Sequence, residues 1–312
     1  MSASAAEAWA KARTFHHSLY STQRIAAERK QSVSVCLPAR ECAQTVGEIV
    51  AALVALREAG AIDEVAVVDA ASADGTAAVA ARAGATVWQE AELMPAYGPV
   101  LGKGDAMWRA LSVLDGELVC FVDADTESFS AHFATGLLGP LVCESGVSFV
   151  KAFYRRPLRQ EGVADANGGG RVNRLTARPA LALFYPELAG VRQPLAGEVA
   201  ARRELLEGLS FATGYGVEVA MLIDVWRKLG LDGIAQVDLD EHSNRHQPLS
   251  ALEPMARTVL ATIARRLEQE GRLLDVDGRV AGGGAAAGPG DALAGLAPAP
   301  VERPPLASVT VA

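Results

Sequence analysis

Glu117-Leu118-Val119-Cys120-Phe121-Val122-Asp123-Ala124-Asp125-Thr126-Glu127 is the stretch around which the rest of the chain is read. A short apolar run, 118–122, ends abruptly in two carboxylates, Asp123 and Asp125. An uninterrupted apolar run of this length reads as a buried strand. Open α/β sheets bind their ligands just outside the carboxyl ends of such strands. Two aspartates one residue apart can there turn oxygens toward one hard cation. Mg²⁺ and Mn²⁺ prefer oxygen donors and readily share phosphate oxygens with them. A solvated turn with helix-capping aspartates is the competing reading, and the motif alone does not separate the two.

Working outward, strands and helices alternate. Residues 33–38 form a strand stopped by Pro38; Thr45 can cap a helix that runs to about 58 and ends at Gly60. A second strand covers 64–69 and leads through 70–76 into a helix. A third strand follows at 85–89, then a helix over 103–114. This alternation predicts an α/β fold with a Rossmann-like, mainly parallel sheet, flanking helices and right-handed crossovers. Beyond 140 the pattern loosens. A strand is expected at 146–153, helices at 177–187, 201–208 and 217–229, a last strand at 233–239, and a final helix near 250–270. The polar, basic, glycine-rich stretch 155–178 is expected to be a functional loop or disordered. Residues 1–31 read as a loosely attached helical arm docked by Trp9, Phe15 and Tyr20. Residues 273–312, rich in Ala, Gly and Pro with no periodic apolar face, read as a disordered tail.

The 312 residues are 50% apolar, enough for one large domain. A net charge of −8 argues against a general nucleic-acid surface. The four cysteines, Cys36, Cys42, Cys120 and Cys143, lack zinc spacing and read as free thiols in a reducing compartment. No apolar run is long enough to span a membrane, and the N-terminus lacks a signal-peptide core. The expectation is a cytoplasmic protein with neither nucleic-acid nor membrane partners.

Four constellations carry chemistry. Asp69 ends one strand, Asp123 and Asp125 another, and Glu41 follows the first. Acids repeated at strand ends favour a nucleotide ligand, with Ser72 and Asp74 also capping the next helix. Lys103, between Gly102 and Gly104 at a helix start, can meet phosphate, though its spacing is not that of a P-loop. Arg155, Arg156, Arg171 and Arg174 surround Gly168-Gly169-Gly170, a local basic loop in an acidic chain. His242 and His246 follow the last strand and are candidate metal ligands.

In order, the segments 33–38, 67–76, 102–110, 121–125, 151–157, 168–179, 193–198 and 214–224 resemble the glucosyl-3-phosphoglycerate synthases and the related mannosyl-3-phosphoglycerate synthases. Lys151-Ala152-Phe153-Tyr154-Arg155-Arg156-Pro157 and Gly214-Tyr215-Gly216-Val217-Glu218-Val219 are the specific parts. The resemblance covers about 30–265. It implies a GT-A fold with a C-terminal acceptor-binding elaboration, a divalent metal (Mg²⁺ or Mn²⁺), a nucleotide-sugar donor, and retaining transfer to D-3-phosphoglycerate. On this reading 32–140 is the nucleotide-sugar-binding half and 141–272 the acceptor-binding half of one domain, in a homodimer.

Carried over residue by residue, the resemblance implies that Pro38, Ala39, Glu41, Asp69, Ser72, Lys103, Asp123 and Ala124 bind the donor. Gly170, Arg171 and Asn173 bind the acceptor, Asp125 holds the metal, and Glu218 touches the transferred sugar. Asp123, Asp125 and Glu218 form the candidate catalytic set. Ala124 stands where the family has serine, and Asn173 where it has threonine. An ungapped match puts Asn244 at the metal histidine, with His242 and His246 two residues to either side. An inverting transferase, a nucleotidyltransferase, and a non-catalytic nucleotide-sugar binder remain alternatives.

Overall fold

The computed structural model describes residues 3–160, 163–165, 168–243, 247–273 and 301–309. The first half runs α1 (Ala3–Ala12), β1 (Thr14–His16), α2 (Thr22–Glu28), β2 (Val33–Ala39), α3 (Val46–Glu58), β3 (Glu64–Asp69), α4 (Thr76–Ala83), β4 (Thr86–Gln89), α5 (Lys103–Ala110), β5 (Leu118–Phe121) and α6 (His132–Cys143). The second half adds β6 (Phe149–Arg155), β7 (Leu158–Gln160), β8 (Val163–Asp165), α7 (Arg178–Phe184), β9 (Val199–Arg202) and α8 (Arg203–Glu207). It closes with β10 (Phe211–Ala212), α9 (Val217–Leu229), β11 (Ile234–Glu241), α10 (Leu249–Gln269) and β12 (Glu302–Arg303).

Eight strands form the main sheet in the order β1-β11-β6-β9-β5-β2-β3-β4. The sheet is mainly parallel, as the alternation predicted; only β9 runs against its neighbours β5 and β6. Because side chains alternate along a strand, each strand feeds two cores. Cys36, Ala66, Val119 and Phe121 face Ala106 and Met107 of α5 and Val219 and Leu222 of α9. Val35, Val67, Leu118 and Cys120 face Ile49 and Leu53 of α3 and Phe133 and Leu137 of α6. Helices thus cover both faces. Among the described residues, no helix is long and apolar enough to cross a membrane.

The single reversed strand shapes the carboxyl edge of the sheet. A strand entering antiparallel begins where its parallel neighbours end. Val199 pairs with Phe121 and with Lys151, so the two residues before it, Gly197 and Glu198, arrive beside Val122 and Asp123.

Three expectations need correcting. The N-terminal arm is not loosely attached. β1 pairs in parallel with β11 at the edge of the main sheet, and Trp9, Tyr20 and Ile25 are buried. A three-residue strand is too short for its periodicity to be read. The stretch 155–178 is only partly irregular, since β7 and β8 pair as an antiparallel hairpin.

The third correction concerns the tail. The segment 301–309 belongs to the fold: β12 pairs with β10, and Trp108 Nε1 donates to the Pro304 carbonyl at 2.8 Å. Arg303 Nε and Nη2 donate to the two oxygens of buried Asp105 at 2.7 and 2.6 Å, and Arg109 Nε donates to the same carboxylate at 3.1 Å. Burial alone would raise the Asp105 carboxyl; the two guanidinium groups hold it below its ordinary range instead. A buried ion pair and the single core side chain Leu306 dock this segment; neither makes a periodic apolar face, so hydrophobic patterning missed it. Residues 274–300 and 310–312 of the expected tail lie outside the described residues.

Arg303→Ala should therefore cost about 3 kcal/mol, because it strips one of two cations from a fully buried carboxylate. Urea denaturation measures it. A change below about 1 kcal/mol would mean that the segment adds little to stability.

Candidate active site

β5 delivers Asp123 and Asp125 to the carboxyl edge of the sheet. Asp123 is partly buried and Asp125 is exposed. Lys103, the first residue of α5, reaches Asp123 Oδ1 at 2.5 Å and Glu218 Oε1 at 3.1 Å. Glu218 lies in the first turn of α9. Burial draws the Lys103 ammonium down, but the Asp123 and Glu218 carboxylates more than offset that and hold it above its ordinary range. A permanent cation thus sits between two carboxylates from different elements.

Gly197 allows this convergence. A Cβ there would fall 2.3 and 2.5 Å from the Asp123 carboxylate oxygens and 2.5 Å from Lys103 Nζ. Only glycine lets β9 start this close to both groups.

Glu198 is fully buried directly behind. Its Oε2 accepts from the Tyr154 hydroxyl at 2.8 Å, and its Oε1 lies 2.9 Å from His242 Nε2. That second contact lacks hydrogen-bond alignment. Glu198 Oε1 and His242 Nδ1 are therefore buried polar atoms without hydrogen-bond partners, an arrangement that costs stability unless another group satisfies it. Burial would raise the Glu198 carboxyl, but the facing imidazole, Lys103 and Tyr154 together pull it below the usual carboxylate range. Tyr154 stacks on the His242 ring with centroids 4.5 Å apart. Asp123, Glu198 and His242 each offer a ligand atom within 4.8 Å of the others. Two carboxylates and one imidazole, with an orphaned oxygen among them, fit a divalent cation of the Mg²⁺ or Mn²⁺ kind.

Asp125 lies outside that group, on the open side. Lost hydration, then the neighbouring Asp123 carboxylate, pushes its carboxyl above the usual range. Lys103 and His242 offset this only in part, so the two acids at the mouth keep an unmet demand for positive charge.

The donor edge is knit by hydrogen bonds. Ser72 Oγ accepts from the Glu41 N–H at 2.9 Å, and Glu41 Oε1 accepts from the Ala73 N–H at 2.8 Å. Asp69 Oδ2 accepts from Ser72 N–H and Gln89 Nε2, both at 3.1 Å, while Oδ1 is buried without a partner. Pro38 and Ala39 end β2 beside Asp69. The Ala124 carbonyl is held by Thr45 Oγ1 at 2.6 Å.

A cleft of about 390 Å³ adjoins this edge, lined by Arg155, Arg156, Arg174, Arg178 and Arg192 together with Gly170, Asn173 and Tyr154. Tyr154 joins the two regions, lining the cleft while bonding Glu198. Gly170 has φ +65°, the left-handed region that favours glycine. Asn173 Oδ1 accepts from Leu195 N–H at 3.2 Å, so its amide also braces the cleft wall. Arg171 follows Gly170 in the chain but is not among the residues lining the cleft; it donates through Nη2 to the Gln247 carbonyl at 2.5 Å. Of the metal-histidine candidates, His242 faces the site; Asn244 and His246 lie outside the described residues.

Sequence reasoning missed Gly197, Glu198, Lys151, Arg178 and Arg192. Gln193-Pro194-Leu195-Ala196-Gly197-Glu198 was one of the resembling segments, and its position before an unread strand was the only signal. Lys151 is fully buried with Nζ donating to the Ala196 carbonyl at 2.7 Å, and burial pushes it down to about 8. An ordinary lysine titrates near ~10.4. Between those values the folded state binds fewer protons than the unfolded one, so stability rises with pH across the window and the burial cost is complete below about pH 8. Compared with Lys151→Met, the wild type should gain up to about 3 kcal/mol between neutral pH and pH ~10.5. Denaturation series on both proteins test this; parallel pH profiles would refute it.

Residues 34–137 match the family described as Glycosyl transferase family 2. A glucosyl-3-phosphoglycerate synthase of Mycolicibacterium smegmatis is 47% identical over 241 residues, covering 77% of this chain and 79% of that protein. One from Petrotoga mobilis is 40% identical over 267 residues, covering 84% and 82%. Among solved structures, mannosyl-3-phosphoglycerate synthase from Rubrobacter xylanophilus matches with a TM-score of 0.85 and 46% identity over 98% of both chains. Glucosyl-3-phosphoglycerate synthase from Mycobacterium tuberculosis, in complex with Mn²⁺, UDP-glucose and phosphoglyceric acid, matches with a TM-score of 0.78 and 37% identity, covering 95% of this chain and 98% of that one. The sheet and its helices are thus of the GT-A type.

Proposed function

The chain belongs to the glucosyl-3-phosphoglycerate synthase family of glycosyltransferases, and on that premise we propose that it moves glucose or mannose from a nucleotide sugar to D-3-phosphoglycerate, with retention at the anomeric carbon. The observation that carries this reading is the convergence of Lys103, Asp123 and Glu218 on one sheet edge, continuous through Tyr154 with an arginine-lined cleft. One side suits a diphosphate and a sugar; the other suits a small, doubly anionic acceptor.

His242, Asp123 and Glu198 of the clustered group would hold Mg²⁺ or Mn²⁺ together with Asp125, which approaches from the open side. A divalent cation there supplies charge neutralisation for the departing nucleoside diphosphate. Lys103, already charged and fixed by two carboxylates, meets the same developing charge without reorganising. Glu218 accepts hydrogen bonds from the sugar's hydroxyls and so orients the ring. The strand-end residues Pro38, Ala39, Glu41, Asp69 and Ser72, with the Ala124 backbone, bind the nucleoside, and the free Asp69 Oδ1 suits an N–H or hydroxyl donor. Gly170, Arg171 and Asn173, with the cleft arginines, hold the acceptor's phosphate and carboxylate. Retention follows if the acceptor hydroxyl attacks from the leaving-group side and its proton passes to the departing phosphate. The working assembly is a homodimer, which analytical ultracentrifugation would check.

The direct test incubates the protein with 3-phosphoglycerate, Mg²⁺ or Mn²⁺, and each of UDP-glucose, GDP-glucose and GDP-mannose. The expected product is an α-linked glycosyl-3-phosphoglycerate, identified by NMR. An inverted anomer would overturn the retaining step, and donor binding without transfer would leave a non-catalytic binder. Arg171→Ala should raise KM for 3-phosphoglycerate about ten- to a hundredfold, far more than KM for the donor. A lost guanidinium–anion contact of about 1.5–3 kcal/mol sets that range. Equal shifts in both constants would move the acceptor site elsewhere.

A further inference from the structure

At the sheet's far edge, His16, His17 and Asp240 are brought together by two local departures from regular geometry. His16 ends β1, and a 3₁₀ turn over His17–Leu19 begins immediately after it. Successive residues of a continuing strand would point to opposite faces; the turn swings His17 to the same side as its neighbour. The two rings lie with centroids 4.5 Å apart, and His17 in turn packs on His132 at 4.2 Å. On the other strand, the pairing of β11 with β6 shifts register between Asp238 and Glu241. Asp240 on this irregularity has φ +65°, a conformation aspartate tolerates better than most residues. Irregularities of this kind re-aim side chains, and this one points Asp240 toward β1.

The result is convergent. His16 Nε2 lies 3.2 Å from Asp240 Oδ1, and His17 Nε2 lies 2.7 Å from Asp240 Oδ2. Both imidazoles present the same ring nitrogen to one carboxylate, and all three ligand atoms fall within 4.8 Å. Donors bound at ~2.0 Å around a tetrahedral cation lie about 3.3 Å apart; the His16 contact already has that spacing, and the 2.7 Å His17–Asp240 hydrogen bond would open slightly to admit the ion. Asp240 and His16 are open to solvent, leaving room for water as a fourth ligand. His16 Nδ1 lies 2.8 Å from Ser18 Oγ. The Ser18 N–H also donates to Nδ1, at 3.2 Å, which orients the ring and leaves the proton on Nε2 facing Asp240 Oδ1; an incoming cation would displace that proton. His132 is no ligand, because Nε2 is committed to the Leu239 carbonyl and Nδ1 to Ser130 Oγ.

We propose that His16, His17 and Asp240 form a second divalent-metal site, selective for a borderline cation of the Zn²⁺ class and sharing no residue with the active site. Two imidazoles and one carboxylate suit such an ion, whereas the active site has the carboxylate-rich set that suits Mg²⁺ and Mn²⁺. Bound metal would tie β1 to the end of β11, two residues before His242.

Equilibrium dialysis of the full chain against Zn²⁺ tests this, comparing the wild type with His16→Ala/His17→Ala and with Asp240→Asn. Asparagine keeps the left-handed backbone accessible, so the second variant guards against misfolding of the first. The double variant should bind one Zn²⁺ fewer than the wild type, whatever the active site takes up. Asp240→Asn should weaken the same site by about tenfold or more. Co²⁺ should give the wild type a strong visible absorption of four-coordinate type that the double variant lacks. Equal Zn²⁺ stoichiometry and affinity in all three proteins would overturn the proposal. Because the readout is bound metal, failure here is separate from failure of sugar transfer.

Discussion

Asp125→Ala is expected to abolish sugar transfer, by on the order of a thousandfold in turnover, without loss of stability. The side chain is exposed, so removing it leaves no buried gap. Its carboxyl is raised by lost hydration and by the adjacent Asp123, so its removal relieves repulsion in the metal-free protein. The variant should therefore melt at the wild-type temperature or slightly above it. The two proteins should diverge once Mn²⁺ is added. Binding to the native state alone stabilises it in proportion to the logarithm of ligand over Kd, so Mn²⁺ should raise the wild-type Tm and barely move that of the variant. Near-wild-type turnover, or an undiminished Mn²⁺ shift, would take the metal away from Asp125.

Gly197→Ala should lower transfer by about a hundredfold through space alone. The new methyl would fall within 2.5 Å of both Asp123 oxygens and of Lys103 Nζ. Neither Asp123 nor Lys103 is free to retreat: Lys103 is also tied to Glu218, and Asp123 stands at the end of a fully buried strand. Displacing charged groups by about an ångström at a reacting centre is worth roughly that factor. The glycine's φ lies outside the left-handed region, so backbone strain does not confuse the result. Circular dichroism should report an intact fold, with the loss seen mainly in kcat. Unaltered kcat would mean that the Lys103–Asp123 contact is not part of the reacting geometry.

The donor half of this architecture was legible because its strands are continuous apolar runs and its acids sit at their ends. Asp69, Asp123 and Lys103 could be placed from pattern alone, since strand termini and a helix start determine where such side chains go. Glu198 could not. β9 has four residues and runs directly into α8, so it showed no period of its own, and its reversed direction is a property of the sheet rather than of any segment. The histidine question had the same character. An ungapped match pointed to Asn244, which lies outside the described residues; among the described residues His242 faces Glu198, and the irregularity in β11 just before it is not legible in the sequence. Arg303 was hidden for another reason: an ion pair spanning 198 positions leaves no trace in local composition.

That separation has a consequence for how the protein is made. Asp105 sits two residues along α5 from Lys103, and Arg303 is translated 198 residues after it. At roughly 5–20 residues per second, the ribosome takes about 10–40 s to supply that partner. β11 completes the main sheet only 62 residues before Arg303, so for about the last 3–12 s of that interval the Asp105 carboxylate has Arg109 alone to balance it, and the helix bearing Lys103 lacks its outer brace. The order of synthesis therefore makes every strand of the main sheet available before Arg303 can secure the active-site helix.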